Sequence, residues 1–164
     1  MMRTILFTAF VAALAVSFAA WGESNRPPNN HARPATALAK QTMKSLKIRM
    51  TVNKKAVFAS LADNPTAKDF HSLLPLTLIL NDHAETEKVA YLPRKLSGDG
   101  APAGAEPVIG DIAYYAPWGN LAIYYKDFAY SDGLIKLGEV DFGIEAFKVE
   151  GSLKVIIDAM PPDS

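Results

Sequence analysis

The stretch Gly110–Tyr125 (GDIAYYAPWGNLAIYY) restricts the fold more than any other part of the chain. Before its centre, Ile112, Tyr114 and Ala116 alternate with Asp111, Ala113 and Tyr115; after it, Leu121, Ile123 and Tyr125 alternate with Ala122, Tyr124 and Lys126. A period of two carried by aromatic and branched residues belongs to β-strands with one face on a core and the other turned to solvent or ligand. Between the two strands, Pro117-Trp118-Gly119-Asn120 sets a large amphipathic ring beside turn-forming residues, at the rim where barrels commonly bind ligands. Gly119 supplies the positive φ that such a turn favours.

The flanking sequence repeats the strand pattern. Leu46, Ile48, Met50 and Val52 alternate with Lys47, Arg49 and Thr51, which predicts a half-buried strand. Asn53-Lys54-Lys55 then reads as a hairpin turn, and Val57, Ala59 and Leu61 as the returning strand. The period changes next: Asp63 or Asn64 can cap a helix, Pro65 suits its first position because no amide hydrogen is needed there, and Ala67, Phe70 and Leu74 share one face. Pro75 ends it. Leu76, Leu78 and Leu80 resume the alternation, and Val89–Leu92, Leu134–Val140, Ile144–Val149 and Leu153–Ile157 read as further strands. Ser97–Pro107 (SGDGAPAGAEP) is expected to be a long exposed loop, either functional or mobile. Roughly eight short strands at close spacing, with one or two helices and no internal repeat, predict a mainly β fold closed into a barrel.

The amino terminus predicts export. Arg3 precedes an apolar run from Ile5 to Ala20 that is interrupted only by Thr8 and Ser17. A membrane span needs about 20 strongly apolar residues, whereas a shorter run ending in small residues fits a secretory leader. Cleavage is expected after Ala19 or Gly22, making residues 1–22 a signal peptide; the alternative is an uncleaved leader acting as an anchor. Residues 23–45 hold three prolines and three asparagines among few large apolar groups, the composition of a flexible linker. The globular domain is then 46–159, with 160–164 as a tail, and the destination is the periplasm or the outside of the cell. The absence of cysteine excludes disulfides, so such a domain is held by its core alone.

Charge narrows the partners. The chain has 17 Lys and Arg against 17 Asp and Glu, and the leader carries away only Arg3. A surface so balanced gives no general attraction to nucleic acid or acidic lipid, and no basic stripe interleaved with aromatics appears. No nucleic-acid partner is expected, and no membrane contact beyond the leader.

Two segments carry a family resemblance. Asn64-Pro65-Thr66-Ala67-Lys68-Asp69-Phe70 resembles the P-x-T-A-x-N-F segment that opens the first helix of cyclophilins, and it follows a similar amino-terminal hairpin. Gly110–Tyr115, Gly119-Asn120 and Leu121–Tyr125 resemble the cyclophilin strand, turn and following strand. With NPTAKDFHSLLPLTL, KVAYLPRKLS and GDIAYYAPWGNLAIYY, the chain is more similar still to a bacterial group of small cyclophilin-like proteins, over nearly all of residues 46–147. The resemblance implies a closed eight-stranded cyclophilin-like β-barrel with helices closing its ends. It does not extend to the catalytic pattern of prolyl isomerases, an arginine in a phenylalanine-histidine-arginine strand with a glutamine shortly after. Here the strand reads Lys88-Val89-Ala90-Tyr91-Leu92-Pro93. The missing arginine donates to the proline nitrogen as the amide loses conjugation, lowering part of a rotation barrier of roughly 20 kcal/mol. Without it, the resemblance implies a groove that binds a small molecule or an extended peptide. An isomerase acting on exported proteins requires Arg94, a few residues later, to take the arginine's place.

Trp118, Tyr91, Tyr114, Asn120 and Arg94 form the expected binding set, with no catalytic residue other than Arg94 in an isomerase. Each has a plainer reading: Trp118 as a plug at the barrel end, the tyrosines as core, and Arg94 as a surface charge. Tyr124 is open to the same two readings as the other tyrosines. His31, His71 and His83 are too dispersed for a metal site, and Asp82-His83-Ala84-Glu85-Thr86-Glu87 is expected to be a solvated loop. His71, beside Phe70, reads as structural. No hydrolase elbow, phosphate loop or dinucleotide fingerprint is present, so no cofactor is expected. A further alternative is an interaction module that presents the 97–107 loop to a protein partner.

Overall fold

The computed structural model describes residues 46–161. The expected leader and linker, and residues 162–164 of the tail, lie outside the described residues. The first hairpin is β1 (Lys47–Val52) and β2 (Lys55–Leu61), turning through Asn53 and Lys54, both at positive φ. After it comes helix α1 (Pro65–His71), then β3 (Leu76–His83) and β4 (Glu87–Tyr91). The short β5 (Gly104–Ala105) is followed by β6 (Asp111–Tyr115) and β7 (Asn120–Tyr124). A second short strand, β8 (Ser131–Asp132), precedes β9 (Leu134–Phe142), a 3-10 turn (Ile144–Phe147) and β10 (Leu153–Ala159).

Eight of these strands close into a barrel in the order β1-β10-β3-β4-β7-β6-β9-β2, and β5 pairs with β8 as a separate ribbon. Every neighbouring pair in the barrel is antiparallel. The alternation in the sequence sets the two faces. Ile48, Met50, Val52, Leu80, Ile112, Leu121, Ile123, Val155 and Ile157 fill the interior, where each large aliphatic side chain stabilises the fold by about 1.5–3 kcal/mol relative to exposure. The partner set Ala113, Ala122, Tyr124 and Leu134 makes a second, smaller cluster on the outer face, with Ala105 of β5 packed against it. This cluster buries both faces of the central hairpin.

Helix α1 forms as its cap residues dictate. The Asn64 Oδ1 accepts a hydrogen bond from the Ala67 amide at 2.8 Å, and its Nδ2 donates to the Lys136 carbonyl at 2.9 Å, tying the helix to β9. Ala67 and Phe70 are buried in the barrel core.

Three local expectations are corrected. Ile144–Val149 is not a strand: Gly143, at φ 93°, turns the chain out of the sheet into the 3-10 turn, which buries Phe147. The loop 97–107 is not wholly exposed, because Gly104 and Ala105 pair with Asp132 and Ser131 and Pro107 is buried. The Asp82–Glu87 run is a tight hairpin connection in which Asp82 and His83 end β3 and Glu87 begins β4. Three residues, Ala84–Thr86, join the paired His83 and Glu87, and Ala84 and Glu85 take φ of 49° and 56°, in the left-handed region.

Candidate functional site

The outer face of β4, β7 and β6 is a grid whose rungs follow from the strand register. One rung sets His83 opposite Glu87, and Glu87 opposite Tyr124. The next sets Val89 opposite Ala122, and Ala122 opposite Ala113. The third sets Tyr91 opposite Asn120, and Asn120 opposite Tyr115. Two rungs of large or polar side chains therefore enclose a rung of small ones, which leaves a depression. Trp118, on the turn after β6, stands beside it with edge-to-face contacts to His83 (ring centroids 5.6 Å apart) and Tyr115 (5.4 Å). Phe128 and Ser131 close the remaining side, giving a pocket of about 160 Å³.

Two buried acceptors of this pocket lack partners. Glu87 is 8% exposed and Asn120 4%, and neither the Glu87 Oε2 nor the Asn120 Oδ1 has a hydrogen-bond partner. Burial raises the Glu87 pKa above the ordinary carboxylate value, opposed by the neighbouring Tyr124 hydroxyl and by the charge of His83. Burial, and then the adjacent Glu87, push the Tyr124 phenol up as well. Among the pocket-lining residues there is no lysine or arginine. An unpaired buried acceptor is costly, and native proteins keep few of them.

The five residues expected from the sequence separate. Trp118 and Asn120 line the pocket. Tyr91 is 71% exposed at the end of β4 and is not among the lining residues. Tyr114 is corrected from groove to core: it points into the barrel, is fully buried, and its hydroxyl accepts from the Leu96 amide at 3.1 Å. Arg94 is an exposed side chain outside the pocket, gripping the Asp69 carboxylate with both Nη atoms. That guanidinium, together with the Ser97 amide, holds the Asp69 carboxyl down at about 2.

His83, Glu87 and Tyr115 were not in the expected set. Glu87 was hidden because a run of charges reads as solvated, although it has the strand parity of Val89 and Tyr91. Its neighbour Lys88 points the other way and is fully buried, donating to the Val149 and Gly151 carbonyls at 2.6 and 2.7 Å and pairing with Asp82 at 2.6 Å. Lys88 therefore closes the barrel end, whereas Glu87 serves the pocket. Among the described residues, no group of His, Asp and Glu is disposed to hold a metal ion, and no helix is long and apolar enough to cross a membrane.

The closed eight-stranded antiparallel barrel with its helix is the fold that the resemblance to cyclophilin-like proteins implies. The chain belongs to the cyclophilin-like family, whose family model matches residues 50–158. Its fold is similar to the solution structure of a hypothetical protein from Archaeoglobus fulgidus, with a TM-score of 0.52 at 12% identity over 71% of this chain and 96% of that one. No curated protein matches the chain.

Proposed function

We propose that this protein is an exported binding barrel that takes a small molecule, or one residue of an extended peptide, into the outer-face pocket and performs no covalent chemistry. The observation that carries this reading is a preformed pocket with aromatic walls and two buried acceptors left without partners. Apolar walls with a few convergent polar groups are the usual make-up of a ligand site. Arg94, on which an isomerase reading depends, is engaged by Asp69 outside the pocket, and this favours binding over prolyl isomerisation.

The test is two-dimensional NMR on the isotope-labelled chain with an Xaa-Pro peptide and a library of small aromatic fragments. Saturable shifts of Trp118, Asn120 and Ala122, with peptide cis/trans exchange no faster than in buffer, support the reading. Accelerated exchange that Arg94→Ala abolishes would replace it with an isomerase. Export is tested by sequencing the amino terminus of the protein recovered outside the cytoplasm: a start at Ala20 or Glu23 supports it, and an intact Met1 in the cytoplasm refutes it.

A further inference from the structure

We infer that the outer-face pocket selects an organic ammonium group, with Glu87 as its counter-charge and Trp118 and Tyr115 as its aromatic walls. The inference rests on the binding reading above and adds the chemical class of the ligand. Three independent features of the pocket agree on the sign of the charge it accepts.

The first is the acceptor excess. A carboxylate oxygen and an amide oxygen lie unpaired among the pocket residues, each on a side chain more than nine-tenths buried. Both groups ask for a donor, and an ammonium offers three. The second is the scarcity of resident positive charge: neither lysine nor arginine lines the pocket, and its one basic side chain, His83, is exposed at the end of β3. The nearby lysine, Lys88, is committed on the opposite face of the same strand to Asp82 and two carbonyls. His83 and the Tyr124 hydroxyl offset the burial of the Glu87 carboxylate only in part, and an incoming cation offsets the remainder where a neutral or anionic ligand does not. The third is the wall chemistry. Trp118 and Tyr115 line the same pocket as Glu87 and meet edge to face, and aromatic faces attract cations. The floor of Val89 and Ala122 is small and apolar, suited to the hydrocarbon body next to the ammonium.

The pocket volume of about 160 Å³ sets the scale of the probe. Benzylamine, benzyl alcohol and benzoate share one shape and differ in charge, so titrating each into the labelled full-length chain isolates the electrostatic preference. Benzylammonium is expected to bind about tenfold or more tightly than benzyl alcohol, with benzoate weakest. In Glu87→Gln that preference should fall to near unity. The half-exposed Trp118 allows a second variant, Trp118→Leu, that leaves the fold intact; it should reduce the preference while keeping contact with the floor. Equal affinity for amine and alcohol, or tighter binding of benzoate, overturns the cation inference and leaves the binding pocket standing. If none of the three probes moves a pocket resonance, the inference fails; if the fragment library also moves none, the binding reading fails with it. A capped Ala-Lys-Ala peptide presents the same group from an extended chain: binding by it alone assigns the ammonium to a peptide, and binding by benzylamine alone to a free amine.

Discussion

At the scale of single residues, two carboxylates on one barrel have opposite consequences. Asp69 is stabilised as an anion by Arg94 and the Ser97 amide, which lower its pKa to about 2. Because the folded value lies below the unfolded one, its contribution is complete above about pH 4 and fades as the pH falls toward 2. Asp69→Asn should accordingly flatten the acid limb of the stability curve, as read by urea unfolding at pH 6, 4 and 3; an unchanged limb would show that the clamp contributes nothing. Glu87 is the reverse case. Burial raises its pKa, so the unfolded chain binds fewer protons than the folded one across the titration, and stability declines as the carboxyl ionises. His83 and Tyr124, its partners across the sheet, only moderate this. Glu87→Gln is therefore expected to be at least as stable as the parent at pH 7, with the gap narrowing as the pH falls through the carboxyl's own titration. A clear loss of stability at neutral pH would assign Glu87 a structural role. Residues retained at a cost to stability are a common mark of a site.

Hairpins are the scale at which the sequence was most readable, and the reason is geometric. In β1 and β2 one face is apolar, so a period of two is imposed by burial and visible without a structure, while β6 and β7, buried on both faces, show it through large side chains in the barrel interior. The cap of α1 was equally plain, because Asn64 followed by Pro65 satisfies the helix start in a residue-specific way. The β3–β4 connection was opaque because its charges are explained by partners distant in sequence: Lys88 meets carbonyls at Val149 and Gly151, and Glu87 faces Tyr124. Trp118 and Asn120 were found from local turn chemistry, whereas the floor of their pocket depends on register between strands and could not be. The same connection carries a testable strain. Ala84 and Glu85 both occupy the left-handed region, where glycine and asparagine fit better. Ala84→Asn combined with Glu85→Gly should raise stability by roughly 1 kcal/mol, detectable as a higher melting temperature. No gain would mean that the turn is not held as tightly as its hydrogen bond from the Thr86 amide to the His83 carbonyl implies.

For the molecule as a whole, closure depends on β9, which bridges two irregular seams. The register shifts between Phe58 and Ala59 where β2 meets β9, and between Ile112 and Ala113 where β6 meets it. Gly138 lies within both seams, paired with Leu61 on one side and Ile112 on the other. A methyl group there would collide with the Ser60 carbonyl and approach the Leu61 Cα to 2.8 Å, and backbone cannot yield as a side chain can. Gly138→Ala should destabilise the barrel by about 1–3 kcal/mol or more, seen as a lower urea midpoint. A neutral result would show that the seam can open without loss.

The position of Trp118 has an optical consequence. The chain has two tryptophans, and the other, Trp21, precedes the barrel. Once Trp21 is replaced by phenylalanine, all indole emission arises from one ring, half in water and in contact with two neighbouring aromatic rings over the pocket. Its wavelength and intensity then register whether that mouth is wet, occupied or collapsed, without any label. Occupancy of the purified protein can be followed in real time, against compounds transparent at the indole's wavelengths, by a side chain at the pocket's edge.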